Sequence, residues 1–180
     1  MFKDFDISSL KKMKPPGNNT FDTMQEIKSL AKIKMNKSFV KKFDNQEKAF
    51  KETAKRKGIK DYDSSIAAKL IEKSAPVILS LKKHFNRPRP KVLAKKMNIE
   101  MKDIEMRSMK TPSYPSGHSA QGMLIGLVLS DKYPKAKSAF MQTANNISDS
   151  RNIAHAHYKS DSEFGKKLGK KMYNHIKNKI

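Results

Sequence analysis

The stretch SGHSAQGMLIGLVL, residues 116–129, decides the fold. It is apolar on most sides, and Gly122 and Gly126 sit one turn apart, so it reads as a helix packed closely by neighbours on several faces. Its apolar run, Gly122 to Leu129, is far shorter than the ~20 residues a membrane-spanning helix needs. We therefore expect it to be the central helix of a bundle, with no membrane span.

The flanking sequence supplies the partners. Phe21, Met24, Ile27, Leu30 and Ala31 recur at helical spacing behind Asn19 or Thr20 as N-cap. Phe39, Val40, Phe43, Phe50 and Ala54 predict a second helix ending near Gly58, and Ile66, Leu70, Val77 and Leu81 a third from Ser64 to His84, kinked at Pro76. Pro88 and Pro90 force the chain out of that helix. Residues 91–110, rich in Met and Lys, predict one short helix or little regular structure. Pro134 opens a helix running to Ile153. Ser160 and Glu163 have capping-box spacing for a last one carrying Phe164, Leu168, Met172 and Ile176. No segment alternates as a strand does. The expectation is an all-α helical bundle, with residues 1–19 an extended lead-in ending in a Pro-Pro-Gly-Asn-Asn turn and residues 20–180 a single helical domain.

Composition narrows the function. The 180 residues include 39 Lys+Arg against 17 Asp+Glu, a net charge of +22, and no Cys. The missing Cys removes disulfide frameworks, thiolate zinc sites, iron–sulfur clusters and cysteine nucleophiles. The charge predicts weak, non-specific attraction to polyanions and does not address oligomeric state. Only five basic residues are Arg (56, 87, 89, 107 and 151), and Arg is the residue suited to gripping phosphate bidentately. Asp4 and Asp6 and the lack of an apolar run near the N-terminus give no secretory signal, so the expectation is a soluble, cytoplasmic chain.

Three segments concentrate groups that suit a phosphate: KKHFNRPRP with Lys82 and Arg89, SYPSGHS with Ser116, Gly117 and His118, and SRNIAHAHYKSD with Arg151, His157 and Asp161. An imidazole attacks phosphorus only when one nitrogen is unprotonated and aimed, and a carboxylate on the other nitrogen fixes the tautomer and stabilises the cationic ring. Asp161, one helical turn after His157, can do this. Arg151 can clamp phosphoryl oxygens. Ser116 to His118 open a helix whose amides and dipole favour an anion, Gly117 lets backbone approach closely, and His118 is a candidate acid for the leaving oxygen. Lys82 and Arg89 add positive charge where phosphoryl transfer needs it.

Together these segments resemble the superfamily of type 2 phosphatidic acid phosphatases and vanadium haloperoxidases, whose soluble members include class A bacterial acid phosphatases. Its pattern, K-x6-R-P, then P-S-G-H, then S-R-x5-H-x3-D, matches here in order and spacing. PSGH or the S-R…H…D pattern would each arise by chance in on the order of one chain in a thousand. The resemblance implies a helical bundle and a phosphohistidine on His157 oriented by Asp161. His118 would be general acid, and Lys82, Arg89, Ser116, Gly117 and Arg151 would hold the phosphate of a small-molecule substrate. One departure is His155, two residues before the nucleophile, where family members often carry Gly.

Taken singly, each residue has an ordinary structural role, and only the joint occurrence makes a site. His155, His157, His118 and Asp161 could be read as metal ligands, but the nucleophile pattern already accounts for them, so neither metal nor other cofactor is assigned. Arg87 is either solvated or a contact beside Arg89. The expected function is a metal-independent phosphatase acting on phosphomonoesters, with pyrophosphate bonds as a further candidate. Two alternatives are a vanadium-dependent haloperoxidase, separable by halide oxidation with vanadate and peroxide, and a basic nucleic-acid-binding protein with a vestigial site. The second lacks a recognition motif and any Trp for base stacking.

Overall fold

The computed structural model describes residues 1–179. In chain order the elements are α1 (Ser8–Lys11), α2 (Phe21–Ala31), α3 (Lys37–Asp44), α4 (Gln46–Arg56), α5 (Ser65–Phe85), α6 (Pro90–Lys96), α7 (Gly117–Lys132), α8 (Lys137–Ile153) and α9 (Lys159–Ile176). Short 3-10 turns occupy Arg107–Lys110 and Pro134–Ala136. No strand occurs among the described residues, and none of the described helices is long and apolar enough to cross a membrane.

The helix starts follow capping chemistry. Thr20 Oγ1 accepts Thr23 N–H at 3.3 Å, Asn36 Oδ1 accepts Phe39 N–H at 3.0 Å, and Ser116 Oγ accepts Ser119 N–H at 3.3 Å. Apolar helix α7 lies at the centre as expected, packed by α5, α8 and α9. Its Leu124, Ile125 and Leu129 are buried with Phe140 and Ile147 of α8 and Leu168 and Met172 of α9. Each such side chain contributes about 1.5–3 kcal/mol of burial.

Close approach between α9 and α7 depends on two glycines outside the central stretch. A Cβ on Gly165 would stand 2.6 Å from Ser116 O, and one on Gly169 would stand 2.4 Å from Ala120 O. Gly122 and Gly126 serve the other side, facing Ile147 and Ala144 of α8. Backbone contact with α9 places the first turn of α9 beside the first turn of α7, and Ser116 N–H donates to Asp161 O at 3.0 Å.

Three expectations need correction, and one is met. The second predicted helix breaks at Asn45, whose extended backbone (φ −89°, ψ 102°) lets its side chain cap α4 at Lys48 N–H, 2.9 Å away. Residues 1–19 hold more than an extended lead-in: α1 forms one turn, Leu10 is fully buried, and Tyr114 Oη donates to Met13 O at 2.8 Å. Residues 91–110 hold one short α-helix as expected: α6 ends before Asn98 in a left-handed conformation (φ 54°), and a 3-10 turn follows at Arg107–Lys110. The last helix starts at Lys159, with Asp161 Oδ2 accepting Tyr158 N–H at 3.1 Å; Ser160 donates instead to Glu26.

Candidate active site

Seven motif residues sit at the ends of helices, and His157 lies in the short connection between α8 and α9. Lys82 lies in the last turn of α5, and Asn86 (φ 46°) reverses the chain so that Arg89 caps the start of α6. Ser116 caps α7, with Gly117 and His118 in its first turn. Arg151 closes α8, the turn through His155 delivers His157, and Asp161 lies in the first turn of α9. One face of the bundle thereby collects several helix ends and the charged groups they carry.

Direct contacts join six of the eight predicted residues in two clusters. In the first, His157 Nδ1 is 3.0 Å from Asp161 Oδ2, Arg89 Nη1 is 2.9 Å from His157 Nε2, and Asp161 O accepts from Ser116 N. In the second, His118 Nε2 is 3.0 Å from Asp44 O, and Arg151 Nη1 donates to Asp44 Oδ1 at 2.9 Å. Gly117, adjacent to Ser116 and His118 in the chain, bridges the clusters and has room for a Cβ only 3.9 Å from Lys82 Cε.

The protonation pattern follows. A guanidinium only donates, so His157 Nε2 is the acceptor facing Arg89 and Nδ1 carries the hydrogen, donated to Asp161. A carbonyl only accepts, so His118 Nε2 carries a hydrogen toward Asp44 O. Burial, with Arg89 and Lys82 nearby, pushes the His157 imidazole down to about 3 against the opposing pull of Asp161. Burial and Arg151 push His118 down to about 4, opposed by Asp44. Burial and Arg89 bring the Lys82 ammonium to about 7. Burial alone would raise the Asp161 carboxyl, but His157, Arg87 and Ser113 together hold it below the usual range.

The cations are held in place by backbone. Lys82 Nζ donates to Pro112 O at 2.6 Å, while Arg89 donates from Nε to Thr111 O at 2.9 Å, from Nη1 to Ala156 O at 2.9 Å and from Nη2 to Ser108 O at 3.0 Å. Arg151 is fully buried, and its Nη2 has no partner among the described residues. A buried cationic donor left open beside His118 and Arg89 is what an arriving phosphoryl oxygen would satisfy.

His155 occupies a left-handed backbone position (φ 56°), a region that favours Gly. Its ring offsets the backbone cost by bonding Ile33 O and Lys102 O, each at 2.8 Å. Both ring nitrogens are thus turned to carbonyls and away from His157. Among the described residues no group of three or more His, Asp or Glu is arranged to hold a metal ion.

Three residues with a part here, Ser113, Asp44 and Glu26, have no role in the sequence pattern, and Arg87, expected to be solvated or a contact beside Arg89, is a buried contact. Ser113 donates its hydroxyl to Asp161 Oδ2, and Arg87, fully buried, donates to Asp161 Oδ1 at 2.7 Å. Asp44 links His118 to Arg151, and Glu26 pairs with Arg87 at 3.1 Å. The cap-forming Asn45 was a signal for the helix break that presents Asp44; nothing local marks Glu26.

Comparison with known proteins agrees with this geometry. A segment of 90 residues is 38% identical to a non-specific acid phosphatase of Salmonella typhimurium and 37% identical to one of Salmonella typhi. It amounts to 50% of this chain and 36% of each relative, so the chain covers well under two thirds of their length. In fold, the chain is similar to a transmembrane PAP2-type phosphatidylglycerolphosphate phosphatase from Bacillus subtilis, with a TM-score of 0.61 over 99% of this chain and 96% of that one at 15% identity. The sequence pattern of the PAP2 superfamily matches residues 65–170, more than half of the chain and inclusive of all eight motif residues, and the chain belongs to that superfamily.

Proposed function

We propose that this chain is a phosphatase that takes the phosphoryl group of a phosphomonoester onto His157 and passes it to water. The observation that carries the reading is the two-sided hold on one buried ring, Asp161 at Nδ1 and Arg89 at Nε2. The substrate is a phosphorylated small molecule; the similarity to non-specific acid phosphatases supports a monoester. A pyrophosphate bond makes the same demands and belongs in the assay.

In this mechanism the phosphoryl oxygens accept from Lys82, Arg89, Arg151, the Ser116 hydroxyl and the first amides of α7, which a helix leaves without internal partners. Arg89 Nη1 turns from His157 Nε2 to a phosphoryl oxygen, which frees the lone pair. That pair forms the N–P bond as the P–O bond to the leaving group breaks, and the leaving oxygen takes a proton from the His118 imidazolium, which is left neutral. Asp161 stabilises the positive ring that results. Water then gives a proton to His118 and attacks phosphorus. The N–P electrons return to Nε2, and inorganic phosphate departs. Burial is the main cause of the depressed His118 value, and the dianion offsets the further depression by Arg151 and Lys82, so it favours the protonated ring. Every step is assigned to this chain's own side chains, with no metal or cofactor.

The test is phosphate release from p-nitrophenyl phosphate, nucleotides, pyrophosphate and a short-chain phosphatidic acid under excess EDTA, with His157→Ala beside the wild type. Activity that survives EDTA and vanishes in the variant supports the reading. A wild type silent on every substrate, or one inactivated by EDTA, overturns it.

A further inference from the structure

Glu26 lies in α2, outside residues 65–170 that carry the superfamily pattern, yet its carboxylate reaches the start of α9. Oε1 accepts Ser160 N–H at 2.8 Å, and Oε2 accepts both Ser160 Oγ–H at 2.8 Å and Arg87 Nη2 at 3.1 Å. Arg87 in turn donates from Nη1 to Asp161 Oδ1 at 2.7 Å and to Ser160 Oγ at 2.8 Å. Its guanidinium lies 3.7 Å over the ring of Tyr158, which is itself tied by its hydroxyl to Pro88 O at 3.1 Å. The opposite oxygen of Asp161, Oδ2, is the one that receives His157 Nδ1–H.

We propose that Glu26 and Arg87 are positioning residues of the nucleophile, a buried charge chain that acts on His157 through Asp161. The inference rests on the phosphohistidine reading and deepens it. A carboxylate is planar, so fixing Oδ1 on Arg87 fixes the direction of Oδ2 toward the imidazole. The electrostatic part is equally specific. With Glu26 present, the Arg87 charge is divided between two carboxylates, and Asp161 keeps enough negative charge to support a cationic ring. With Glu26 neutral, Asp161 alone carries Arg87 and becomes a weaker acceptor. With Arg87 removed, Asp161 is unopposed and becomes a stronger one, though less well aimed. A buried pair that served folding alone would impose no such opposite signs.

The full-length chain is made as wild type, Glu26→Gln, Arg87→Met and Arg87→Lys. Two quantities are read: the single-turnover rate of phosphoenzyme formation from p-nitrophenyl phosphate, and the proton resonance of His157 Nδ1–H, assigned by its loss in His157→Ala. Phosphoenzyme formation should fall about tenfold in Glu26→Gln and about a hundredfold in Arg87→Met, with KM within about threefold and partial recovery in Arg87→Lys. The resonance should move upfield in Glu26→Gln and downfield in Arg87→Met. Rates within about twofold of wild type and an unmoved resonance overturn the inference. If Arg87→Met does not fold, Glu26→Gln decides alone, since the Glu26 side chain is 18% exposed and keeps its shape as Gln. A wild type that releases phosphate without ever forming a phosphoenzyme overturns the underlying reading and this inference with it, whereas a wild-type phosphoenzyme formed equally fast in the variants overturns only the inference.

Discussion

Arg89 Nη1 stands 2.9 Å from His157 Nε2, on the lone pair that attacks phosphorus in the proposed mechanism. A cation placed there keeps the imidazole unprotonated and ready, and it yields only to a group that accepts a hydrogen bond better than a ring nitrogen does. A phosphoryl oxygen is such a group.

Replacing Arg89 should therefore change the nucleophile before any substrate arrives. In Arg89→Met a neighbouring charge that depresses His157 is gone, so its pKa rises from about 3. Ring titration by NMR checks this, and kcat/KM should fall by about a hundredfold or more as the charge stabilisation of the transition state is lost.

His118→Ala should discriminate between leaving groups. p-Nitrophenolate departs without help, so its ester should lose about tenfold, whereas an alkyl phosphate should lose ~1000-fold because its alkoxide needs the proton. Equal losses on both would remove His118 from the role of acid.

The pH profile should be bell-shaped with its maximum on the acid side of neutrality. His157 must be unprotonated, so activity rises as pH climbs through its value of about 3; His118 must be protonated, so kcat/KM falls above about 4 in the free enzyme. Bound phosphate neutralises the cations beside His118, so the alkaline limb of kcat should lie higher than that of kcat/KM. A second decline is expected as Lys82 loses its charge through about 7. A flat profile would contradict these assignments.

Asp44 is the carboxylate beside His118, 3.7 Å from its Nε2. Neutralising it in Asp44→Asn removes a charge that favours the protonated ring, so the alkaline limb of kcat/KM should move to lower pH while the backbone bond from Asp44 O persists. Steady-state kinetics across pH measures the shift.

Gly169→Ala would drive a Cβ to 2.4 Å from Ala120 O and force α9 off α7. The expected cost is about 1–3 kcal/mol, read from denaturant unfolding, with a loss of activity beyond it because α9 carries Asp161.

Much of this was legible locally. Helix type follows from spacing, and caps such as Thr20 and Ser116 follow from side-chain chemistry. The four-residue step from His157 to Asp161 is one helical turn, so their pairing is written in the chain. The motif residues come together because they stand at helix ends or, for His157, in the connection between two of them. What was not legible depended on distant partners. Asp44 meets Arg151 across 107 positions and Glu26 meets Ser160 across 134, and no periodicity encodes such a meeting. Arg87, two residues from Arg89, has the same side chain and nearly the same address, yet Arg89 faces His157 and Arg87 backs the Asp161 carboxylate.

By itself, then, the sequence determined an all-helical chain, the order of its motifs and the chemistry those side chains can perform, because these depend on residues a turn or two apart. Tertiary structure alone decided which cation meets His157, which carboxylate stands beside His118 and how α2 reaches Asp161 through Arg87. Those relations arise only when α9 settles on the backbone of α7 through Gly165 and Gly169, bringing helix ends from distant parts of the chain to one buried face.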